Sequence, residues 1–148
     1  MNLLIIHGPN LNMLSYRNQT YYGEDSLEEI NTSIKNKGKE LGFETFIFQS
    51  NSEGDIITKL HETVFNDKYI GVILNAGAYT HYSYAIRDAI ELVNIPVIEV
   101  HLSNIYNRDE FREKSVIAPV CNGQITGFGP NSYIIAMDAM KLIIKEMY

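Results

Sequence analysis

The chain has 148 residues, of which 45% are hydrophobic and 20% are charged, and its formal net charge at pH 7 is −6. This balance is typical of one soluble globular domain over residues 1–148, and the negative charge argues against a nucleic-acid binder, which usually carries a basic surface. The single cysteine, Cys121, cannot form an internal disulfide. No apolar run approaches the ~20 residues of a membrane span, and the first residues lack the basic region of a signal peptide. We therefore expect a cytoplasmic protein.

Short apolar runs alternate with helical patterns, which predicts a parallel sheet covered by helices on both faces. Five parallel strands make an α/β, flavodoxin-like three-layer sandwich the simplest topology. Ser26 and Glu29 form a capping box at the start of the first long helix, and Gly42 ends that helix. In chain order, the predicted elements are a strand over 3–6, a helix over 26–41, a strand over 43–49, a helix capped by Ser52, a strand over 70–74, a helix over 82–93, the strand that contains Glu99, strand-like pieces over 115–120 and 124–128, and a helix over 131–147 that buries Ile135, Ala139 and Ile143.

A long polar loop follows the first strand and extends to Asp25. Loops of this length in compact domains often serve as active-site lids. This one contains no glycine-rich phosphate-binding motif, which argues against a dinucleotide or triphosphate site. It does carry Arg17 and Tyr22, and a nearby guanidinium stabilises a phenolate, which would make Tyr22 usable as a base. The alternative is an exposed arginine beside a half-buried tyrosine, and these two residues alone favour that alternative.

The apolar strand over 70–74 ends at Asn75 and is predicted to lie at the centre of the sheet. Small residues follow it and a helix begins soon afterwards, so backbone amides there can approach an anion. The Asn75 side chain offers donors for a carboxylate. His81 either belongs to this site or is only a loop residue that caps the turn.

The strand that contains Glu99 delivers a carboxylate and an imidazole to its C-terminal end. Glu99 and His101 are two residues apart and therefore face the same side of the strand, where the carboxylate can fix the tautomer and charge of the ring. Ligands bind beyond the carboxyl ends of the strands in open α/β sheets, so the pair suits a general acid or base. The alternative is a structural pair at a strand end.

Two arginines follow this strand. Asn107 is predicted to cap a short helix that presents Arg108 and Arg112 on one face. The two guanidinium groups either hold an anion or only pair with neighbouring acidic residues such as Asp109. Cys121 has no neighbouring base in the sequence and is interpreted as a packing residue.

Seven segments of the chain combine into one pattern. They are Gly8-Pro9-Asn10-Leu11-Asn12, Arg17 with Tyr22-Gly23, Gln49-Ser50-Asn51-Ser52-Glu53-Gly54, Asn75-Ala76-Gly77-Ala78-Tyr79-Thr80-His81, Glu99-Val100-His101-Leu102-Ser103-Asn104, Arg108 through Phe111-Arg112, and Gly127-Phe128-Gly129. In order, spacing and length, this pattern resembles the type II 3-dehydroquinate dehydratase family over essentially the whole chain. Ser15, Gln19 and Tyr82 differ from the residues usual in that family, and none of the three removes a catalytic group.

The resemblance implies loss of water from 3-dehydroquinate to give 3-dehydroshikimate, without a metal or a cofactor. A proton α to a ketone is removed, and a tertiary hydroxyl is then expelled, which requires a base, a site for enolate charge and an acid. Carried over residue by residue, the resemblance assigns Tyr22 as the base with Arg17 beside it, Asn12 as the residue that stabilises the enolate, and His101, oriented by Glu99, as the acid. It assigns Asn75 and the backbone amides of Leu102 and Ser103 to the carboxylate site, and His81 and Arg112 to the ring hydroxyls. Arg108 would support the lid, and Asp88 would come from a neighbouring subunit. It also implies a homododecamer built from four trimers.

A flavodoxin-like binding or regulatory module without turnover is the alternative class. A receiver would need acidic residues at the strand ends, and a flavin site would need a hydroxyl-rich loop where this chain has Gly8-Pro9-Asn10. An ultraviolet assay for the conjugated enone product distinguishes an enzyme from a binder.

Overall fold

The computed structural model describes residues 1–148 and contains one sheet of five strands. The strands are β1 (Asn2–His7), β2 (Glu44–Gln49), β3 (Gly71–Asn75), β4 (Val97–His101) and β5 (Gly123–Thr126), and the helices are α1 (Gln19–Tyr22), α2 (Leu27–Leu41), α3 (Glu53–Phe65), α4 (Tyr84–Glu91) and α5 (Asn131–Met147). The sheet has the order β2-β1-β3-β4-β5, and every neighbouring pair is parallel. The predicted flavodoxin-like architecture is confirmed, with β3 at the centre. None of the helices combines the length and apolarity needed to span a membrane.

Helices cover both faces of the sheet and enclose two apolar clusters. On one face, α2 and α5 contribute Ile34 and Tyr133 to a cluster over the sheet. On the other face, α3 and α4 contribute Leu60 and Ile90. The central strands are enclosed from both sides, and residues 72–74 have no exposed surface. Burial on both faces explains why these strands are continuous apolar runs in the sequence rather than alternating ones.

Short polar side chains set where the helices begin. The Ser26 hydroxyl accepts a hydrogen bond from the Glu29 amide at 3.2 Å, and the Ser52 hydroxyl accepts one from the Asp55 amide at 3.3 Å. Gly42 follows α2 with a φ of 79°, a left-handed conformation that favours glycine. Each cap of this kind contributes about 1 kcal/mol. The predicted limits of α2 are therefore confirmed, while α4 begins at residue 84 rather than 82 because Ser83 caps it.

The prediction of a strand over residues 115–120 is wrong. That segment is a loop with one 3-10 turn at Ala118–Val120. Val116 and Ile117 in this loop are adjacent and both buried, whereas a strand would point them to opposite faces. Pro119 also lacks the amide proton that a strand would use for pairing. The last strand starts only at Gly123.

The buried face of α5 differs from the predicted one. Ile135 is 38% exposed, and the fully enclosed side chains are instead Tyr133, Met137 and Met140. Ala139 and Ile143 only flank that face and are partly buried. Apolar residues occur almost all round this helix, so the spacing alone did not separate the two faces.

The short helix predicted after Asn107 is replaced by two 3-10 turns, Ile105–Asn107 and Glu110–Arg112. Asn104 caps a 3-10 turn over Ile105–Asn107, and its side chain accepts a hydrogen bond from the Tyr106 amide at 3.1 Å. Arg108 then adopts an extended backbone, so Arg108 and Arg112 lie in separate turns. The two guanidinium groups therefore do not come from one helix face.

Polar residues from four strands collect at the C-terminal edge of the sheet. His7, Gln49 and Asn75 are level with one another in the register of β1, β2 and β3, and β4 ends at His101. The connection after β1 leads to β2 on one side of it, and the connection after β2 crosses back to β3 on the other side. A crevice beyond such a switch point is where open α/β sheets bind their ligands.

Candidate active site

One pocket opens beyond the C-terminal ends of β3 and β4, under the loop that follows β1. Residues from that loop, from the strand ends and from the two turns after β4 surround it. They are Leu11, Arg17, Tyr22, Asn75, Gly77, Ala78, His81, His101, Leu102, Ser103, Ile105, Arg108 and Arg112. Nine of the twelve residues predicted to form the site therefore lie in one place; Glu99 lies behind His101, while Asn12 and Asp88 do not line the pocket.

His101 and Glu99 form a buried pair at the end of β4. His101 is 5% exposed and Glu99 has no exposed surface. The imidazole Nε2 lies 3.6 Å from the Glu99 carboxylate and has no hydrogen-bond partner within the chain. The predicted pairing on one face of the strand is confirmed as a close charge contact. An imidazole that lines the pocket and contacts a buried carboxylate can carry a proton to or from a ligand there.

Two residues that sequence reasoning missed hold the Glu99 carboxylate. The Ser115 hydroxyl and the Gln124 side-chain amide each donate a hydrogen bond to it. Gln124 is level with Glu99 in the register of β5 and β4, and it is a polar residue between Gly123 and Ile125. That polar position in a short strand is the signal that could have indicated it. A buried carboxylate needs such donors, because an unsatisfied charge in the interior is costly.

The loop after β1 places Arg17 and Tyr22 against the pocket. The Arg17 guanidinium donates a hydrogen bond to the Tyr22 hydroxyl, and its central carbon lies 3.8 Å from the centre of the tyrosine ring. Asn18 caps the short helix α1 by accepting from the Thr20 amide at 2.9 Å. Tyr22 is only 7% exposed, so the alternative of a solvated arginine beside a half-buried tyrosine is wrong. Positive charge at the hydroxyl stabilises a phenolate.

Arg108 contacts the same tyrosine. Its guanidinium carbon lies 4.9 Å from the Tyr22 ring centre and 4.4 Å from that of Tyr21, and it donates to the Ser103 hydroxyl at 3.2 Å. Burial, together with the charges of Arg108 and Arg112, lowers the pKa of Arg17, while Tyr22 raises it. The loop is therefore fastened to the turns after β4 by contacts between cations and aromatic rings.

Asn75 presents a fixed amide at the end of β3. Its Oδ1 accepts from the Gly77 amide at 3.1 Å, and its Nδ2 donates to the Tyr133 hydroxyl at 3.1 Å. Gly8 packs directly against this strand end, where an added Cβ would lie 2.8 Å from the Asn75 carbonyl oxygen. Only glycine permits that approach between the ends of β1 and β3.

His81 and Arg112 lie together at the outer side of the pocket. The His81 Nδ1 donates to the Lys114 carbonyl at 2.8 Å, which leaves Nε2 as an acceptor. Burial lowers the pKa of His81, so the ring is neutral near pH 7. Arg112 pairs with Asp109 at 3.2 Å and also lines the pocket, so its pairing with an acidic neighbour is confirmed and its binding of an anion stays a prediction.

Two predicted site residues lie apart from the pocket in a single chain. Asn12 is exposed, and its Oδ1 lies 3.5 Å from the Gln49 side-chain nitrogen. Asp88 is exposed on the outer face of α4. Cys121 packs against the cluster under α3 and α4, and burial raises the pKa of its thiol to about 12. A thiol that stays protonated suits the interpretation as a packing residue.

Comparison with known proteins supports one family. The family model described as "Dehydroquinase class II" matches residues 1–141. A protein named 3-dehydroquinate dehydratase from Caldicellulosiruptor bescii is 59% identical to the chain and covers 96% of it and 97% of its own length. A protein of the same name from Clostridium perfringens is 54% identical and covers 99% of each. The crystal structure of a type II dehydroquinase from Butyrivibrio crossotus superposes with a TM-score of 0.92 at 49% identity, covering 95% of this chain and 97% of that one. The chain belongs to the class II dehydroquinase family.

Proposed function

We propose that the chain dehydrates 3-dehydroquinate to 3-dehydroshikimate in the shikimate pathway, by anti elimination through an enolate. The observation that carries this proposal is the shared pocket of Tyr22, held by Arg17, and His101, backed by Glu99. These two sets of groups come from different elements and suit the two proton transfers of the reaction. Family membership and the names of the relatives point to the same activity.

Tyr22 acts as the base in this proposal. Its phenolate takes the proton α to the ketone, and the Arg17 guanidinium stabilises the negative charge before the transfer. Asn12, which does not line the pocket itself, would stabilise the enolate through the water or donor network that it holds. Asn12 lies on the same loop as Tyr22, in the turn over Leu11–Tyr16, so both would be placed by the same segment.

His101 acts as the acid. It gives a proton to the leaving tertiary hydroxyl, and the Glu99 carboxylate keeps the imidazole oriented for that step. The position of the ring supports this role, because His101 lines the pocket while its Nε2 lies beside the Glu99 carboxylate. Every proton in the reaction is then handled by side chains, with neither metal nor cofactor.

The remaining pocket residues bind the substrate. Asn75 and the backbone amides of Leu102 and Ser103 hold the carboxylate at the ends of β3 and β4. His81 and Arg112 hold the ring hydroxyls. Arg108 supports the lid through its contacts with Tyr21 and Tyr22.

The direct test is an ultraviolet assay of the purified protein with 3-dehydroquinate. Formation of the conjugated enone product is expected in the wild type, with and without a chelator, and not in Tyr22→Phe. A well-folded wild type that binds 3-dehydroquinate without forming the enone would contradict the proposal. Activity that is lost on chelation and restored by a divalent metal would contradict the organic mechanism.

We further propose that the protein assembles as a homododecamer of four trimers, with Asp88 completing the site of a neighbouring subunit. Tyr82 and Tyr84 support this, because they are 58% and 60% exposed beside α4 and form an aromatic surface near Asp88. Sedimentation is expected to give a mass near twelve chains. Mixing Asp88→Ala with Tyr22→Phe protein, after dissociation and reassembly, should restore part of the activity. A fully active monomer would contradict the shared site.

Residues 1–148 are proposed to act as one domain in the cytoplasm. Two apolar clusters on opposite faces of one sheet support a single folding unit, and one protonated thiol suits a reducing compartment. One cooperative unfolding transition and recovery of the protein in the cytosolic fraction are expected. Two separate unfolding transitions would contradict the single domain. Recovery of the protein in another cell fraction would contradict the cytoplasmic location.

A further inference from the structure

Four polar side chains form a continuous chain of hydrogen bonds beneath the pocket. His7 Nε2 lies 2.8 Å from the Asn31 Oδ1, and His7 Nδ1 lies 2.7 Å from the Tyr133 hydroxyl. The same hydroxyl lies 3.1 Å from the Nδ2 of Asn75, which lines the pocket. The chain thus runs from α2 through β1 and α5 to the end of β3. The proposed mechanism uses only its last member.

The partners fix the direction of every hydrogen bond in this chain. The Asn31 Oδ1 can only accept, so His7 donates from Nε2 and its Nδ1 is the acceptor. The Tyr133 hydroxyl therefore donates to His7, and its oxygen accepts from Asn75. At the other end of its amide, Asn75 accepts from the Gly77 amide. Each donor faces an acceptor along the whole chain.

Burial keeps this arrangement in a single protonation state. His7 has no exposed surface, Tyr133 is 1% exposed and Asn75 is 3% exposed. Burial lowers the pKa of His7 to about 4, so its Nδ1 stays an acceptor at neutral pH. Burial also raises the pKa of Tyr133 well above its usual value, so its hydroxyl stays a donor. A buried polar chain is tolerated only when each of its groups is paired.

We propose that His7 and Tyr133 are positioning residues that fix which way the Asn75 amide faces the substrate. Because His7 takes the tyrosine proton, the Tyr133 oxygen can only accept from Asn75, which holds Nδ2 inward and leaves its second hydrogen for the pocket. Without the His7 acceptor, the Tyr133 hydroxyl hydrogen could point at Asn75 and displace its Nδ2, and only the Gly77 amide would then hold the side chain through Oδ1. This inference rests on the proposed role of Asn75 in binding the substrate carboxylate.

The test compares Tyr133→Phe with a matched control, Tyr69→Phe. Both changes remove one hydroxyl from a buried tyrosine, but Tyr69 lies in the cluster on the opposite face of the sheet. Tyr133→Phe is expected to raise the KM for 3-dehydroquinate about tenfold, the size of one lost hydrogen bond to a charged group, with a smaller change in kcat. Tyr69→Phe is expected to leave KM unchanged.

Variants of His7 separate positioning from packing. His7→Leu removes the acceptor for Tyr133 and is expected to raise KM as Tyr133→Phe does. In His7→Asn, the amide oxygen takes the place of Nδ1, so this variant is expected to retain a KM near that of the wild type. Melting temperatures measured alongside report the stability of each variant. If Tyr133→Phe loses stability but keeps the wild-type KM, the four hydrogen-bonded side chains have only a structural role and the inference is wrong.

A double-mutant cycle with Asn75→Ala separates this inference from the proposed function. Asn75→Ala alone is expected to raise KM, and adding Tyr133→Phe to it should raise KM no further. An unchanged KM in Asn75→Ala would contradict the proposed carboxylate site. A raised KM in Asn75→Ala together with an independent, additive effect of Tyr133→Phe would leave that site intact and overturn the positioning role of His7 and Tyr133.

Discussion

The pocket has a strand-edge half, formed by Asn75, Glu99 and His101, and a lid half, formed by Arg17 and Tyr22, and the two are held in different ways. The strand-edge residues belong to β3 and β4, whose backbones are paired on both sides. The lid residues lie in a loop with one short helix, and they are held through contacts between side chains. Changes in the strand-edge half should therefore leave buried groups unpaired, whereas changes in the lid half should mainly remove function.

The largest effect is expected for Tyr22→Phe in the lid half. The change removes the phenolic oxygen that acts as the base and keeps the ring that packs between Arg17 and Arg108. We expect kcat to fall below detection while the melting temperature changes little. The enone assay and thermal unfolding measure the two quantities. A kcat near that of the wild type would exclude Tyr22 as the base.

His101→Ala tests the strand-edge half. Its expected loss of kcat is nearly as large as that of Tyr22→Phe. General acid–base groups typically contribute ~10²–10⁴-fold, so we expect a loss of that order in kcat with a smaller change in KM. The variant should also be less stable than Tyr22→Phe, because it leaves the Glu99 carboxylate beside a cavity. A defect confined to KM would make His101 a binding residue rather than the acid.

Arg17→Ala is a second change in the lid half, and its expected loss of kcat is smaller than that of Tyr22→Phe or His101→Ala. The variant loses one charged hydrogen bond to the Tyr22 hydroxyl, worth about 1.5–3 kcal/mol, so kcat should fall about tenfold to a hundredfold. Arg17→Lys keeps the charge but not the planar group over the ring, and it should fall between the wild type and Arg17→Ala. Equal kcat values for Arg17→Ala and the wild type would contradict the role of Arg17.

The same contrast explains which parts of the site the sequence could predict. Glu99 and His101 could be placed together because residues two apart on a strand share a face. Asn75 could be assigned to the same edge because its apolar strand ends there. These inferences use only the regular geometry of a sheet, which is why the fold and the strand-edge half were predicted well.

Contacts that depend on loop paths and on distant packing could not be predicted in this way. Ser115 reaches Glu99 because residues 115–120 form a loop, where the apolar pattern had predicted a strand. His7 and Tyr133 are 126 positions apart in the sequence and meet only through the packing of α5 on β1. The sequence favours exposure of Arg17 over its contact with Tyr22, because nothing local in the sequence forces a loop side chain to be buried.

Glu99→Gln is expected to have a smaller effect than the three changes above. The substitution keeps the volume of the side chain and removes the charge 3.6 Å from the His101 Nε2. We expect kcat to fall roughly tenfold, with little change in KM, because the acid is still present but less well oriented and charged. Ser115→Ala, which keeps the charge and removes one donor, provides the comparison and should retain more activity. A loss in Glu99→Gln as large as that in His101→Ala would make the carboxylate itself a catalytic group.

The smallest effect at neutral pH is expected for His7→Asn, and it becomes visible only in acid. Burial lowers the pKa of His7 from 6.5 to about 4 in the folded chain, so the unfolded chain binds the proton more readily. The stability that comes from the neutral ring is therefore fully present above pH 6.5 and is lost as the pH falls from 6.5 towards 4. The difference corresponds to at most about 3 kcal/mol.

Denaturant unfolding of the wild type and His7→Asn at several pH values between 7 and 4 measures this difference. The free energy of unfolding should fall more steeply with acid in the wild type than in the variant, since an amide cannot take up the proton. Carboxylates titrate in both proteins and cancel in the comparison. Because His7 lies beneath the strand-edge half, this result would assign part of the acid sensitivity of the protein to that half. Parallel curves would show that His7 has the same pKa in the folded and unfolded chains, and would contradict the lowered pKa in the folded chain.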